Sequence, residues 1–296
     1  FVTSPDADAE KASKREKVRL EEIPMSREIS LFNDLISLFK WIHLLKVEKP
    51  MAVNVGTPKA GLLGTIAAFL TRVPKRLYVV RGLRLEGVKS RPLHVVLWSI
   101  EKLTMLLATD VLFVSDSLAA EAIKLNLAPL KKSWLIGEGS SNGVSAELVS
   151  QVVSNVNTTT LRESLGIEPS QFVVGFIGRI TADKGVDLLI DAVDSALINE
   201  QVRILFVGGV EDEKLSARVD ALGSKAIMVS WTSEPWKYLS VMDVLCLPSL
   251  REGFPNVVLE AASAGIPSIV TSATGAKHSV IDGVTGRILA NRESKE

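Results

Sequence analysis

The sequence predicts an α/β fold of two parallel sheets, each built from strands joined by crossover helices. Three observations carry that expectation. Short apolar runs alternate with helix-like stretches along nearly the whole chain, the pattern of a sheet covered by helices. The alternation breaks once, at a polar stretch over residues 145–160 where serine, asparagine and three consecutive threonines gather. A length of 296 residues with 47% hydrophobic content is enough for two cores on either side of that break.

The first unit, residues 1–150, opens with a strand at Phe1-Val2-Thr3. A polar helix from Asp6 to Lys14 and a strand from Val18 to Ile23 follow. Leu31, Leu35, Leu38, Ile42 and Leu45 then recur near helical spacing, so Leu31 to Val47 reads as a helix. Met51 to Val55 is a strand, Gly56 to Gly61 a turn, and Leu62 to Leu70 a helix. Strands at Arg76–Val80, Val111–Val114 and Ser133–Ile136 enclose helices at Leu93–Leu107 and Asp116–Asn126. The break at 145–160 reads as the linker.

The second unit, residues 160–296, repeats the alternation. Strands are expected at Phe172–Ile177, Val202–Val207, Ala226–Val229, Val244–Leu247 and Ile266–Thr271. Helices are expected at Asp187–Leu197, Asp212–Leu222 and Pro235–Met242, with another beginning at Pro255. Two such doubly wound halves joined by a hinge predict a cleft between them.

Composition excludes several classes. Lys+Arg and Asp+Glu are both 34, so no overall field favours nucleic acid. A single cysteine, Cys246, lies in an apolar strand, which rules out a disulfide framework and fits a small core residue. No run of about 18 apolar residues suggests a transmembrane helix. His43, His94 and His278 lack carboxylate or cysteine partners at ligand spacing. The Asp6-Ala7-Asp8 pair sits in a charged surface segment and reads as solvated, so no protein-bound metal is expected. Neither a GxSxG elbow nor a Walker sequence or full GxGxxG is present.

Chemistry concentrates between Leu245 and Val270. An apolar strand ends at Leu247-Pro248, a polar loop carries Glu252, and a helix starts at Pro255, which suits the first helical position. Asn256, Glu260 and Ser263 then share one face of a mostly apolar helix. A carboxylate one turn inside such a helix needs a hydrogen-bond partner. Upstream, Gly178-Arg179 leaves a strand and leads to Lys184-Gly185 before a helix. Glycine lets the backbone approach a ligand there, and two cations near a helix start suit a diphosphate. A tight turn with two solvated bases would look the same. Arg72, Lys75, Arg76, Arg81, Arg84, Lys89 and Arg91 crowd into twenty residues; they read either as a solvated loop or as a contact for anionic lipid headgroups.

These residues together resemble the retaining, nucleotide-sugar-dependent glycosyltransferases of family 4. The carrying motifs are Gly178-Arg179 with Lys184-Gly185, Glu252 and Glu260 inside REGFPNVVLEA, Gly265-Ile266-Pro267, and Asp282-Gly283-Val284-Thr285-Gly286. The first unit is similar to the branch that builds capsule, O-antigen and N-glycan precursors, through TPKAGLLG at 57–64, VRGLRLE at 80–86 and GSSNGV at 139–144. The resemblance implies a GT-B fold of two Rossmann-like domains, acceptor side first and donor side second. It further implies transfer from a UDP-sugar, a UDP-N-acetylhexosamine or hexose, to a polyprenyl-diphosphate-linked or other glycan acceptor. The enzyme would work in the cytoplasm with peripheral contact to the inner membrane face, without nucleic acid, metal or any cofactor beyond the donor.

Residue by residue, the resemblance assigns Arg179 and Lys184 to the donor diphosphate and Glu252 to the sugar ring, with Glu260 on the ribose hydroxyls. Gly178 and the backbone around Gly253, Phe254, Asn256 and Val257 complete the donor site. Thr57, Lys59, Arg81 and Arg84 are the acceptor-side candidates. Many members carry a first-domain histidine near the sugar; here the corresponding loops read Asn54-Val55-Gly56 and Val80-Arg81-Gly82, so its role passes to Arg81 or is absent. Relatives begin with a further strand and glycine-rich loop and end with further helices, so a chain truncated at both ends is expected. The competing readings are a GT-B nucleotide-sugar epimerase and a non-catalytic nucleotide-sugar binder.

Overall fold

The computed structural model describes residues 1–5, 7–25, 30–86, 88, 90–194 and 201–290. They divide into two compact units, one of Phe1–Val114 with Leu118–Gly137 and one of Ser115–Ser117 with Glu138–Glu296.

The first unit runs β1 (Val2–Thr3), α1 (Ala7–Glu16), β2 (Glu21–Glu22), α2 (Leu31–Glu48), β3 (Ala52–Val55), α3 (Pro58–Leu70), β4 (Lys75–Val80), α4 (Arg91–Leu107), β5 (Asp110–Phe113), α5 (Asp116–Lys124) and β6 (Ser133–Leu135). β3 to β6 form a four-stranded parallel sheet in chain order, and β1 and β2 pair separately in parallel. Helix α2 ends where Lys49, in the left-handed region at φ 45°, returns its N–H to Leu45 O. Helix α3 begins a full turn earlier than expected. Pro58 fixes the helical φ at the first position, so the residues read as a turn are its first turn. Val18 to Ile23 keeps only Glu21–Glu22 as a strand.

The second unit runs α6 (Ala146–Ser154), α7 (Thr158–Ser164), β7 (Phe172–Ile177), α8 (Val186–Asp194), β8 (Val202–Val207), α9 (Glu213–Ala221), β9 (Ala226–Val229), β10 (Val244–Leu247), α10 (Asn256–Ser263), β11 (Ser268–Thr271) and β12 (Gly286–Leu289). The six strands are parallel in the order β12-β11-β10-β7-β8-β9. Cys246 lies in β10 beside Ile269 of β11, and burial pushes its thiol up to about 12.

Four expectations need correction here. Residues 145–160 are not a linker: α6 buries Val149 in the core and Ser150 Oγ donates to Ser263 O at 2.6 Å, while Asn157 caps α7 by accepting from Thr160 N. The polar composition marks caps and solvent faces instead. Pro235 to Val241 is a 3₁₀ helix rather than an α-helix. Pro255 occupies the N-cap of α10 and not its first turn. Strand β12 went unread because four residues with a central arginine, after a glycine turn, carry little strand signal; it pairs in full with β11. The tail of the helix expected to Leu197 and the segment after Ala290 lie outside the described residues.

Candidate functional site

Strand order locates the site. β7 has β8 on one side and β10 on the other, so the direction in which the chain crosses the sheet reverses between them. At such a switch point the loops leave in opposite directions, and ligands bind at the carboxyl ends of the two strands. The loops after β7 and β10 are the two stretches singled out by the sequence.

The structure stitches these loops together. Leu250 N–H donates to Asp183 O at 2.9 Å. Gly185 sits at φ +70°, where a Cβ would lie 1.9 Å from Pro248 O, so only glycine permits this approach. Across the seam Glu252 is held from three directions. Its N–H donates to Thr274 O at 3.0 Å, and its Oε1 accepts from Lys184 Nζ at 2.6 Å and from Ser249 Oγ at 2.7 Å. The Lys184 and Glu252 side chains are 20% and 11% exposed, so their charges act more strongly than a surface pair would.

Arg179 points elsewhere. Its guanidinium pairs with Glu211 at 2.7 Å and reaches Asp183 only at 4.0 Å. Burial alone would raise the Asp183 carboxyl, but the Thr181 hydroxyl and the Arg251, Lys184 and Arg179 charges outweigh it and hold the group below its ordinary range. The Gly178 N–H continues the sheet by donating to Val207 O at 2.9 Å, and a close backbone approach is made by Gly208, whose Cβ would stand 1.9 Å from Gly178 O.

Helix α10 opens without a side-chain cap, leaving the Asn256 and Val257 N–H groups without intrahelical acceptors. Asn256 Oδ1 is buried with no hydrogen-bond partner. Phe254 is buried and anchors the loop, which leaves its backbone as the part available to a ligand. One turn on, half-buried Glu260 already has a protein partner, the side chain of Trp236. Burial raises the Glu260 carboxyl above its ordinary value, and the hydrogen bond from Trp236 pulls it part of the way back.

Thr57, Lys59, Arg81 and Arg84 come together within the first unit, around a cavity of ≈ 1180 Å³ that Trp41 also lines. Thr57 is the N-cap of α3, and Lys59 Nζ pairs with Asp34 Oδ1 at 2.7 Å. Nearby, Tyr78 donates to Glu101 at 3.2 Å; burial raises both groups, and the Glu101 charge raises Tyr78 further. The crowded basic set is not one patch. Arg72, Lys75 and Arg76 lie at the start of β4 and Arg81 and Arg84 beyond its end, about 16 Å apart along a strand. Arg76 is also committed internally, donating to Leu107 O and Val73 O. Lys89 lies outside the described residues.

Sequence reasoning missed Ser249, Asp183, Glu211 and Trp236. Ser249 stands three residues before Glu252, a spacing that could have been noticed; Trp236 reaches Glu260 only through the fold. Among the described residues no group of three or more histidine, cysteine, aspartate or glutamate side chains could hold a metal ion. Of the acidic pair Asp6 and Asp8, Asp6 lies outside the described residues and Asp8 pairs with Lys11 at 3.1 Å.

Two Rossmann-like units, one with paired charged loops at its switch point, make up a GT-B fold. In fold the chain matches the crystal structure of Anabaena Alr3699/HepE in complex with UDP, with a TM-score of 0.79 and 21% identity over 100% of this chain and 79% of that one. Residues 171–296 match the family model described as glycosyl transferases group 1. Over 278 residues the chain is 41% identical to the capsular polysaccharide biosynthesis glycosyltransferase CapM of Staphylococcus aureus, covering 92% of this chain and 72% of that one. Over 270 residues it is 30% identical to the UDP-Gal:alpha-D-GlcNAc-diphosphoundecaprenol alpha-1,3-galactosyltransferase of Escherichia coli, covering 88% and 68%. The chain belongs to the glycosyl transferases group 1 family.

Proposed function

We propose that this glycosyltransferase moves a sugar, with retention, from a UDP-sugar to a lipid-linked saccharide in the assembly of a bacterial surface polysaccharide or glycan, at the cytoplasmic side of the membrane. The names of the Staphylococcus aureus and Escherichia coli relatives support the pathway and acceptor class, and the UDP complex of the structural neighbour supports the donor. A UDP-N-acetylhexosamine or hexose is the donor class. The first unit takes the acceptor at Thr57, Lys59, Arg81 and Arg84; the second holds the donor.

The observation that carries this reading is the Lys184–Glu252 pair with Ser249, fixed at the switch point of the second sheet. As the glycosidic C–O bond breaks, negative charge grows on the diphosphate while the sugar becomes oxocarbenium-like. Lys184 serves the phosphates directly and Arg179 does so by turning from Glu211, each held by a carboxylate until the donor arrives, and the open first turn of α10 adds backbone donors. Glu252, oriented by Ser249, accepts from sugar hydroxyls. Glu260 accepts from the ribose while Trp236 fixes its carboxylate. Asn256 Oδ1, buried and unpaired, is available to a donor group of the ligand.

The test is UDP release from a panel of UDP-sugars with and without a polyprenyl-diphosphate saccharide. Release that depends on the acceptor, with the new linkage keeping the donor's anomeric configuration, is the expected result. Release of an epimerised free sugar without acceptor, or UDP binding with no turnover, overturns it.

A further inference from the structure

Strands β10 and β11 are parallel neighbours, with Leu245 opposite Ser268 and Leu247 opposite Val270. Both therefore leave the sheet at the same edge, and the loop after β11 runs beside the loop that carries Glu252. Side chain, backbone and close packing join the two. Thr271 Oγ1, at the last position of β11, donates to Ser249 O at 2.6 Å. Three residues on, Thr274 O accepts from the Glu252 N–H at 3.0 Å. Next to it Gly275 comes so near that a Cβ would collide with the Gly253 carbonyl. The segment from Ser249 to Gly253 is thus braced along its length by β11 and the residues that follow.

Thr271 and Ser249 are both 0% exposed. A hydroxyl and a carbonyl taken out of water lose more by standing alone than a surface pair would, so their contact fixes the Ser249 backbone. The Ser249 hydroxyl in turn donates to Glu252 Oε1 at 2.7 Å. Thr271 therefore reaches the carboxylate through one intermediary. Among the described residues both hydrogen bonds to that carboxylate, from Lys184 and from Ser249, fall on Oε1, which leaves Oε2 to accept from a ligand.

We propose that Thr271 is a positioning residue for sugar transfer: acting through Ser249, it holds Glu252 with Oε2 toward the hydroxyls of the transferred sugar. The two holds on Oε1 respond differently when the donor binds. Lys184 turns its charge to the diphosphate, so its grip on Glu252 loosens as the site fills. Ser249 is neutral, buried and fixed from behind by Thr271, so its grip persists through the reaction. The inference rests on the reading of the second unit as the donor site with Glu252 on the sugar. It follows that the brace acts on the sugar half of the donor and not on the nucleotide half.

The experiment is calorimetry with UDP and with UDP-glucose, UDP-galactose and their 2-acetamido counterparts, run beside acceptor-dependent UDP release. The quantity read is the ratio of the dissociation constants of UDP and of the UDP-sugar that the wild type turns over. Thr271→Val keeps the shape and deletes the hydroxyl. It should move the ratio against the UDP-sugar by about three- to tenfold, the worth of one hydrogen bond, and lower kcat by a similar factor. Affinity for UDP alone should stay within about twofold, as for a site with no shared partner. Thr271→Ser should restore the ratio, and Ser249→Ala, one link nearer the carboxylate, should move it at least as far as Thr271→Val. In a Glu252→Ala background Thr271→Val should leave the ratio unchanged. The proposal is overturned by a wild-type ratio in Thr271→Val or Ser249→Ala, by equal loss of UDP and UDP-sugar affinity, by failure of Thr271→Ser to restore it, or by a ratio that still responds without Glu252. The donor reading fails in a different way: wild type that binds neither UDP nor any UDP-sugar removes it, and the positioning role with it.

Discussion

Replacing Lys184 by alanine tests the donor site most directly. In the free protein its ammonium lies 2.6 Å from Glu252 Oε1. At an effective dielectric of about 20 that separation corresponds to about 6 kcal/mol of attraction, most of which offsets the cost of drawing both groups from water. Truncation should therefore cost the free protein only about 1–2 kcal/mol, a fall in Tm of about 2–8 °C. During transfer the loss is larger, because Lys184 then faces a diphosphate whose charge is growing. Loss of one preorganised donor costs about 10²- to 10³-fold in kcat, or about 3–4 kcal/mol. The assay is UDP release at saturating donor and acceptor, run beside a melting curve. In Lys184→Ala/Glu252→Gln no carboxylate is left without its cation, so melting should recover while turnover does not. A kcat within about threefold of wild type, or turnover that recovers together with melting, would refute the reasoning.

Other consequences are simpler to check. Glu260→Gln should weaken UDP binding about tenfold by calorimetry, the loss of one charge-assisted hydrogen bond, and unchanged affinity removes the ribose role. The same variant has a pH signature. Because burial raises the Glu260 carboxyl in the folded state, its contribution to stability is full below the unfolded value and is lost as pH rises through the folded one; Glu260→Gln should flatten that fall and leave the free protein at least as stable at pH 7. Gly185→Ala combines a left-handed backbone with a Cβ 1.9 Å from Pro248 O, and a loss of about 2 kcal/mol or more by denaturant titration is expected. Val149→Ala should cost about 2 kcal/mol if α6 belongs to the core of the second unit; a neutral result would return that segment to a linker.

Much of the fold was legible because β7, β9 and β10 are continuous apolar runs and β8 is one broken only by Arg203, and the limits of all four coincide with the expected ones. Periodicity failed where composition and packing part company. Helix α6 buries Val149 but lies among serines, asparagines and threonines that read as a linker, and β12 is too short and too charged at Arg287 to announce itself. At the site, the residue types were legible and their partners were not. Lys184 and Glu252 were chosen separately, for phosphate and for sugar, and nothing in their separation along the chain says that they touch. The reversal of strand order between β7 and β10 brings their loops together. Arg179 was assigned to the phosphates and is found on Glu211, since a guanidinium on a half-exposed loop takes whichever carboxylate lies within reach. Gly178 was read as an approach point for a ligand, yet the sheet itself uses its N–H.

The environment of Cys246 has a practical consequence. Desolvation pushes its thiol up to about 12, which disfavours the reactive thiolate at pH 7, and no other cysteine occurs in the chain. Labelling with a maleimide at neutral pH should therefore be slow. Val47→Cys or Val95→Cys would add a faster-reacting handle on α2 or α4, both positions being exposed. An environment-sensitive dye placed there would report, helix by helix and in real time, which parts of the outer surface leave water.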